Sequence, residues 1–296
     1  MKPAILTIDL EDWHQLVHRR LGLVDWDRPG PAFERQAHAL FGLLDELQAR
    51  PTVFLLGMTV ERYPSVARAI AERGYEIASH GHAHRRVYTQ SKDEFRADVR
   101  RSIDVIGEAT GTRPTGYRAP EFSITRDTPW AYEVLAELGF RYDSSQHDNR
   151  RIPNRIDPVP TAPYRIELPA GTSLWELPIP SVRRVPVGGG AYWRLLPGSA
   201  IVRALSAFPW PVLYFHPYEF DPLPLRAELP DGLGAKQRLF AASRRLLRNP
   251  GRGLIAARLR KVAEDFRLTS FEEAHDEIER DHGASSRALS PEGVLV

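Results

Sequence analysis

The sequence predicts an α/β protein in which parallel strands alternate with crossover helices. Two observations support this fold class. Short apolar runs recur along the first half of the chain, and segments with helical spacing of apolar residues separate them. Polar residues follow directly after several of the apolar runs. Such alternation is typical of an α/β barrel or open sheet, in which functional residues gather at the carboxyl ends of the strands.

The individual elements follow from these runs. The expected strands cover residues 4–9, 52–56, 75–79, 115–118, 142–145 and 211–215. The expected helices cover residues 33–48, 64–73, 91–107, 130–138 and 243–266. Ser91 with Glu94 forms a capping-box pattern, and Gly74 is a plausible C-terminal cap. Residues 13–31 are expected to form a loop, and the proline-rich stretch 153–186 to form extended segments and loops. We find neither internal repeats nor a clear linker, which favours one domain.

Composition excludes several classes of protein. The chain of 296 residues has 42% hydrophobic and 26% charged residues, as an ordinary globular domain does. It has no cysteine, so disulfides, thiolate zinc sites and cysteine nucleophiles are excluded, and any metal must be held by His and carboxylate. No apolar run is long enough for an integral membrane segment. The start of the chain does not look like a signal peptide, so a cytoplasmic protein is expected.

Positive charge is concentrated in one segment. Residues 236–261 hold nine basic residues and no acidic one, and residues 264–281 are acidic. A patch for nucleic acid or an anionic glycan is one interpretation. A solvated helix face is favoured instead, because Phe240 is the only aromatic residue in the stretch. No nucleic-acid partner is therefore expected, and the oligomeric state stays open.

Two groups of polar residues point to a metal. Asp9, Glu11 and Asp12 put three carboxylates into four residues, which need a cation or a shared proton unless they lie in an exposed turn or at a helix start. His80 and His84 are one helical turn apart, so both imidazoles can face one side. Two such histidines with a carboxylate typically bind Zn²⁺, Co²⁺, Ni²⁺ or Fe²⁺. The intervening His82 points elsewhere if this segment is helical.

Two further polar residues follow apolar runs. Arg118, ahead of the rigid Pro120, can fix a carboxylate, although a lone arginine is more often a surface residue. His216 ends an apolar run, where a structural histidine is the more common explanation.

Together and in this order, these segments resemble the NodB-like polysaccharide deacetylases, carbohydrate esterase family 4, over roughly residues 4–222. The segments that match the family's motifs are Thr7-Ile8-Asp9 with Glu11-Asp12, His80-Gly81-His82-Ala83-His84, Arg118-Ala119-Pro120, Tyr142-Asp143-Ser144-Ser145 and Leu213-Tyr214-Phe215-His216. Residues 9–13 and 216–222 look most like an intracellular branch. That branch is related to allantoinase-like and peptidoglycan-deacetylase-like members and includes deacetylases of exopolysaccharide and exosortase loci.

The resemblance implies a fold and a set of roles. It implies a deformed (β/α) barrel of about seven strands over residues 1–222, with a helical C-terminal extension over residues 223–296 that packs on it and ends in a mobile tail. The implied catalytic residues are Asp9 as general base, Arg118 as the residue that orients Asp9, and His216 as general acid. The implied ligands of a divalent metal, Zn²⁺ first, are Asp12, His80 and His84. The expected substrate contacts are Trp13, Pro120, Glu121 and Tyr218.

The sequence departs from the family at the first motif, because its two acids are not adjacent. An extended strand would put Asp9 and Glu11 on one face and favour Glu11 as the ligand. A chain that turns after Asp9 would bring Asp12 back to the metal, and Asp12 is preferred here. The carboxylate that supports His216 is also open, with Asp143 and Asp221 as the alternatives.

Three functions are weighed. The leading hypothesis is a metal-dependent hydrolase that removes N-acetyl groups from the sugars of a polysaccharide or its lipid-linked or nucleotide-linked precursor. The second is a metal-independent, allantoinase-like amidohydrolase acting on a small cyclic amide. The third is an inactive glycan-binding protein, which the presence of Asp9, Arg118 and His216 disfavours because a binder needs no base and acid.

Overall fold

The computed structural model describes residues 1–23, 30–148, 153–169 and 171–290. The strands are β1 Lys2–Leu10, β2 Thr52–Leu55, β3 Glu76–Ser79, β4 Gly116–Tyr117, β5 Tyr142–Asp143, β6 Tyr164–Glu167, β7 Ser173–Glu176, β8 Ser181–Val182, β9 Val185–Pro186, β10 Val212–Phe215, β11 Phe266–Thr269 and β12 Ser286–Ala288. The helices are α1 Trp13–Arg20, α2 Phe33–Leu47, α3 Gly57–Arg62, α4 Pro64–Glu72, α5 Lys92–Thr110, α6 Trp130–Glu137, α7 Gly198–Leu205, α8 Ala235–Arg248, α9 Leu254–Asp265 and α10 Phe271–His282.

Seven parallel strands form the barrel wall, in the order β10-β1-β2-β3-β4-β5-β7. Strand β6 extends the wall antiparallel to β7, and β12 lies beside β6. Strand β11 pairs with the first residues of β1. The predicted fold class, a deformed (β/α) barrel of about seven strands, is confirmed.

Glycine closes the gap between the two ends of this wall. The amide of Tyr214 in β10 donates a hydrogen bond to the carbonyl oxygen of Gly188 over 3.0 Å. Gly189 forms a parallel bridge with the same tyrosine. A Cβ atom on Gly189 would lie 2.0 Å from the carbonyl oxygen of Tyr214. Only glycine therefore allows the two backbones to approach this closely.

The side chains of β1 alternate between the outer and inner faces of the barrel wall. Its residues Leu6, Ile8 and Leu10 pack outward in one core cluster with Phe33 and Leu40 of α2. Alternate residues of a strand point to opposite faces, so the positions between them face the barrel interior. Ile5 accordingly belongs to a different core cluster, with Phe54 and Trp175. This alternation directs Asp9 into the barrel.

Several expected elements differ from the structure. Residues 13–20, expected as loop, form α1. The single helix expected over 243–266 is two helices, α8 and α9, separated by a turn in which Gly251 has a φ of +69°. The C-terminal extension, expected to be helical, also contributes β11 and β12. The boundary at residue 222 stays a prediction, and residues 291–296 of the tail expected to be mobile lie outside the described residues.

None of the helices in the described ranges has the length and apolarity needed to cross a bilayer.

A carboxyl pair is buried between neighbouring strands. Asp143 of β5 and Glu176 of β7 are register partners, and both are fully buried. Burial and the charge of Asp143 raise the pKa of Glu176 well above its usual range, and burial raises the pKa of Asp143 to about 6. Oε2 of Glu176 has no other hydrogen-bond partner. One shared proton between the two carboxyl groups satisfies this atom.

This pair predicts that Glu176→Gln gains stability over the wild type as pH rises. A raised carboxyl pKa means that the folded state holds a proton that the unfolded state releases above about pH 4.5. Folding therefore weakens as pH rises through the folded pKa, whereas the amide of glutamine keeps its hydrogen. We expect the unfolding midpoint of the variant to exceed that of the wild type by a few degrees more at pH 8 than at pH 5, or ~2 kcal/mol. Glu167→Gln on the exposed face of β6 is the matched control, and equal differences at both pH values would contradict the shared proton.

The closure of the barrel predicts that Gly189→Ala is destabilising. The added methyl group would meet a backbone oxygen that cannot move without breaking the closure, so we expect a loss of about 2–3 kcal/mol in urea unfolding. Gly42→Ala in α2 is the control, because a Cβ there meets nothing within 4 Å and should stabilise the helix by about 0.5–1 kcal/mol. A Gly189→Ala protein as stable as the wild type would show that the close approach is not needed.

Candidate active site

A buried arginine joins two strand ends at the top of the barrel. Arg118, which follows β4, is 0% exposed, and its Nη1 donates to Oδ1 of Asp9 over 2.7 Å and to the hydroxyl of Thr7 over 2.8 Å. Its Nε and Nη2 donate to the carbonyl and hydroxyl oxygens of Ser144 over 3.0 and 2.8 Å. The guanidinium also lies 4.2 Å from the ring centre of Phe54. Asp9 is thereby held by a charged donor inside the barrel.

One carboxylate meets two imidazoles beside this pair. Oε1 of Glu11 lies 2.8 Å from Nε2 of His80 and 2.9 Å from Nε2 of His84. All three residues are buried, and the three donor atoms lie within 4.8 Å of one another, as metal ligands do. The structure thus brings Glu11, His80 and His84 together.

The tautomer of His80 fits a cation between these atoms. Its Nδ1 donates to the carbonyl oxygen of Arg118 over 2.7 Å, which leaves a lone pair on Nε2 facing the carboxylate of Glu11. Two acceptors 2.8 Å apart require a proton or a cation between them. A histidine whose second ring nitrogen is fixed by a carbonyl is the usual arrangement in metal sites. The residues present therefore fit a divalent ion.

The electrostatics of the cluster favour positive charge at the same place. Burial alone would lower the pKa of His80, but its hydrogen bond to Glu11 and the charge of Asp9 outweigh burial and raise this pKa. Burial would raise the pKa of Glu11, but the charge of His84 and the hydrogen bonds to both histidines hold it well below its usual range.

The spacing of His80 and His84 suggested a helical turn, but the two histidines lie on a loop. Gly81 and His84 have φ angles of +75° and +49°, which a helix does not allow. The carboxylate of Asp98 in α5 accepts hydrogen bonds from the backbone amides of His82 and Ala83 over 2.8 and 3.1 Å. These bonds fix the loop that carries the histidines. His82 does point away, with its Nε2 4.0 Å from Glu61.

Asp12, the preferred ligand, lies outside this cluster, and the alternative Glu11 takes the place. Strand β1 stays extended to Leu10, so Glu11 continues the inward face that Asp9 occupies. Asp12 is the residue ahead of α1, and its Oδ2 accepts the amide of Gly30. Burial raises the pKa of Asp12 to about 6. Its position is that of a loop anchor.

His216 reaches the cluster from β10. One of its ring nitrogens lies within 4.8 Å of carboxylate oxygens of Asp9 and Glu11. Its Nδ1 pairs with Oε2 of Glu219 over 3.1 Å, and its ring stacks on Tyr218 at 4.8 Å. Burial would lower the pKa of His216, but Glu219 and Glu11 outweigh it and raise this pKa.

The carboxylate that supports His216 is therefore Glu219, which the sequence analysis missed. Asp143 instead pairs with Glu176 and binds Ser145, and Asp221 pairs with Arg35 over 2.9 Å. A signal was available, because His216 and Glu219 are three residues apart with a proline directly after the histidine. This is the spacing of a capping box.

A pocket opens over these residues. The expected substrate contacts Trp13, Glu121 and Tyr218 line it, together with Asp9, Glu11, His80, His84 and His216. Pro120 is buried and is not among the lining residues. Glu121 pairs with Arg86 over 2.6 Å.

Comparison with known proteins identifies two regions in the chain. Residues 27–142 match the polysaccharide deacetylase family, and residues 144–276 match a domain of unknown function, DUF3473. The peptidoglycan deacetylase-like protein FGM2 of Gibberella zeae is 30% identical over 154 residues, which are 50% of this chain and 43% of FGM2. The peptidoglycan deacetylase of Helicobacter pylori is 28% identical over 110 residues, which are 37% of this chain and 36% of that protein. The matches thus span less than half the length of these relatives.

A solved structure covers nearly the whole chain. The crystal structure of a candidate polysaccharide deacetylase from Mycobacterium smegmatis has a TM-score of 0.60 at 22% identity and covers 95% of this chain and 91% of that one. This likeness supports the fold. Residues 27–142 thus match the polysaccharide deacetylase family and residues 144–276 match DUF3473, and the resemblance seen in the motifs is confirmed.

The geometry predicts opposite results for the two neighbouring acids. Glu11→Gln should lose stoichiometric metal after zinc loading and gel filtration, because a neutral amide replaces the charged ligand. Asp12→Asn, the matched control, should keep the metal because its side chain binds Gly30. Elemental analysis of both proteins shows whether Glu11 or Asp12 is the metal ligand. Loss of metal from Asp12→Asn alone would restore Asp12 as the ligand.

Proposed function

We propose that this protein is a metal-dependent hydrolase that removes N-acetyl groups from the sugars of a polysaccharide or its precursor. The observation that carries the proposal is the convergence of Glu11, His80 and His84 beside Asp9 and His216 in one pocket. The curated relatives include peptidoglycan deacetylases, which agrees with a glycan substrate. The cytoplasmic location stays a prediction.

Glu11, His80 and His84 would hold a divalent cation, Zn²⁺ first, with Co²⁺, Ni²⁺ and Fe²⁺ as alternatives. A cation bound there would polarise the acetyl carbonyl group and lower the pKa of a coordinated water toward about 7. The carbonyl group of Arg118 accepts a hydrogen bond from Nδ1 of His80, and Nη1 of Arg19 donates to the carbonyl oxygen of His84. The ring of His80 is thus oriented for a cation, and the backbone at His84 is held in place.

Asp9 would act as the general base that takes a proton from the attacking water. Arg118 holds Oδ1 of Asp9, which leaves Oδ2 for this proton.

His216 would act as the general acid. Glu219 binds its Nδ1, so the ring presents Nε2 toward Asp9 and Glu11. When the carbon–nitrogen bond breaks, this nitrogen can protonate the departing amine, and acetate and a free amino sugar result. The proposed base and acid therefore come from the neighbouring strands β1 and β10 and line one pocket, and amide hydrolysis requires both groups within reach of the substrate.

Replacement of Asp9 by Asn tests the proposal. We expect kcat for acetate release from tetra-N-acetylchitotetraose to fall about 10²–10⁴-fold, since a positioned base contributes that much. The bound metal should remain, and so should the fold, because the amide oxygen can still accept from Arg118. Acetate is measured by a coupled assay, metal by elemental analysis and the fold by circular dichroism.

The other two functions give different results in the same assay. Turnover of a cyclic amide such as allantoin by metal-free protein would favour the amidohydrolase. Binding of the oligosaccharide by zinc-loaded wild type with no acetate released would favour the inactive binder.

A further inference from the structure

Three arginines line the same pocket farther from the catalytic cluster. Arg20 ends α1, and Arg244 and Arg248 lie one turn apart on α8. Arg20 is exposed and the other two are half-buried, whereas Asp9 and Glu11 at the base of the pocket are buried. The arginines therefore form the outer part of the pocket, which we call the arginine rim.

Among the described residues, no carboxylate is paired with a rim arginine, whereas two other carboxylates of the pocket are paired with arginines. Asp9 is paired with Arg118, and Glu121 is paired with Arg86. None of the rim arginines forms an ion pair with a carboxylate within the ranges that the structure describes. Three guanidinium groups thus line the pocket with no paired carboxylate among the described residues.

The rim arginines also repel one another. Burial is the first cause that lowers the pKa of Arg244, and the charges of Arg20 and Arg248 lower it further. Nε of Arg244 is buried without a hydrogen-bond partner. Its guanidinium lies 4.7 Å from the ring centre of Phe240. An anion placed among these groups would relieve the repulsion and supply acceptors for the planar donors.

One wall of the pocket is apolar and is formed by Trp13, Leu16, Val17 and Phe240, which pack in one hydrophobic cluster. Phe240 lies against Arg244 of the rim, and Trp13 contacts Tyr218, which stacks on His216. Aromatic and aliphatic surfaces of this kind suit the apolar faces of sugar rings. A glycan can therefore lie along this wall with one end at the cluster and a charged substituent at the rim.

We propose that the substrate is an anionic glycan, and that Arg20, Arg244 and Arg248 bind a carboxylate or phosphate attached to the acetylated sugar chain. This inference rests on the proposed deacetylase function and adds the substrate class to it. The shared chemistry is an oxyanion with several acceptor oxygens, carried either by an acidic sugar or by a phosphorylated sugar end.

Substrate pairs that differ only in charge test the rim. A hyaluronan tetrasaccharide, in which glucuronate alternates with N-acetylglucosamine, is compared with the same compound after reduction of its carboxyl groups to alcohols. Tetra-N-acetylchitotetraose is compared with its 1-phosphate. The proteins are zinc-loaded wild type, Arg244→Gln/Arg248→Gln and the control Arg245→Gln. Arg245 is exposed on the same helix and does not line the pocket.

We expect the wild type to prefer the charged member of at least one pair, with a KM that rises with salt, since screening weakens charge pairs. The double variant should lower the ratio of kcat/KM for charged over neutral substrate about tenfold, which is the loss of one or two charge-assisted contacts. Arg245→Gln should leave the ratio unchanged. The hyaluronan pair tests whether the rim binds a carboxylate, and the chitotetraose pair tests whether it binds a phosphate.

An unchanged ratio in the double variant, or a wild type that favours both neutral substrates, would overturn the proposal. Failure of the deacetylase function is seen separately, as no acetate from any of the four substrates. In that case, calorimetric binding of the same four compounds tests whether the rim binds an anionic group. Equal affinity for charged and neutral members would then reject it, and charge-dependent affinity that is lost in the double variant would support it.

Discussion

The buried guanidinium of Arg118 is the constraint on which the site depends. A charge inside a protein is tolerated only when its partners are close and well oriented, and removal of one partner costs about 3–5 kcal/mol. Arg118 meets this condition through Thr7 and Asp9 on β1 and Ser144 beyond β5. The backbone carbonyl oxygen of Arg118 accepts a hydrogen bond from Nδ1 of His80. One residue therefore fixes the proposed base and one proposed ligand, and it requires three strand ends to converge.

This convergence arranges charge in layers along the pocket. At its base, negative carboxylates and imidazoles surround a place that favours a cation. Farther out, the rim guanidinium groups, which have no paired carboxylate among the described residues, favour an anion. The apolar wall of Trp13, Leu16, Val17 and Phe240 lies in the same pocket. Opposite charges held apart in this way suit a substrate whose reacting group needs a Lewis acid and whose remainder is anionic.

Much of this arrangement is predictable from the sequence, because position in the chain determines position in a parallel barrel. Asp9, Arg118 and His216 each follow an apolar run, and the carboxyl ends of parallel strands meet at one edge. The choice between Glu11 and Asp12 could not be predicted in the same way. It depends on whether the backbone stays extended for one more residue, and the start of α1 at Trp13 decides this.

The other gaps have a similar cause. The meeting of His80 and His84 depends on a positive φ at His84, a conformation that no spacing rule predicts for histidine. The rim depends on how α8 packs against α1, a long-range contact that the basic composition of residues 236–261 does not predict. Because Arg244 and Arg248 come from α8, and His216 from β10, the C-terminal half of the chain supplies the proposed acid and most of the proposed anion site. The two regions therefore share the proposed site, because the chain before residue 144 supplies the proposed base, the proposed metal ligands and Arg20 of the rim.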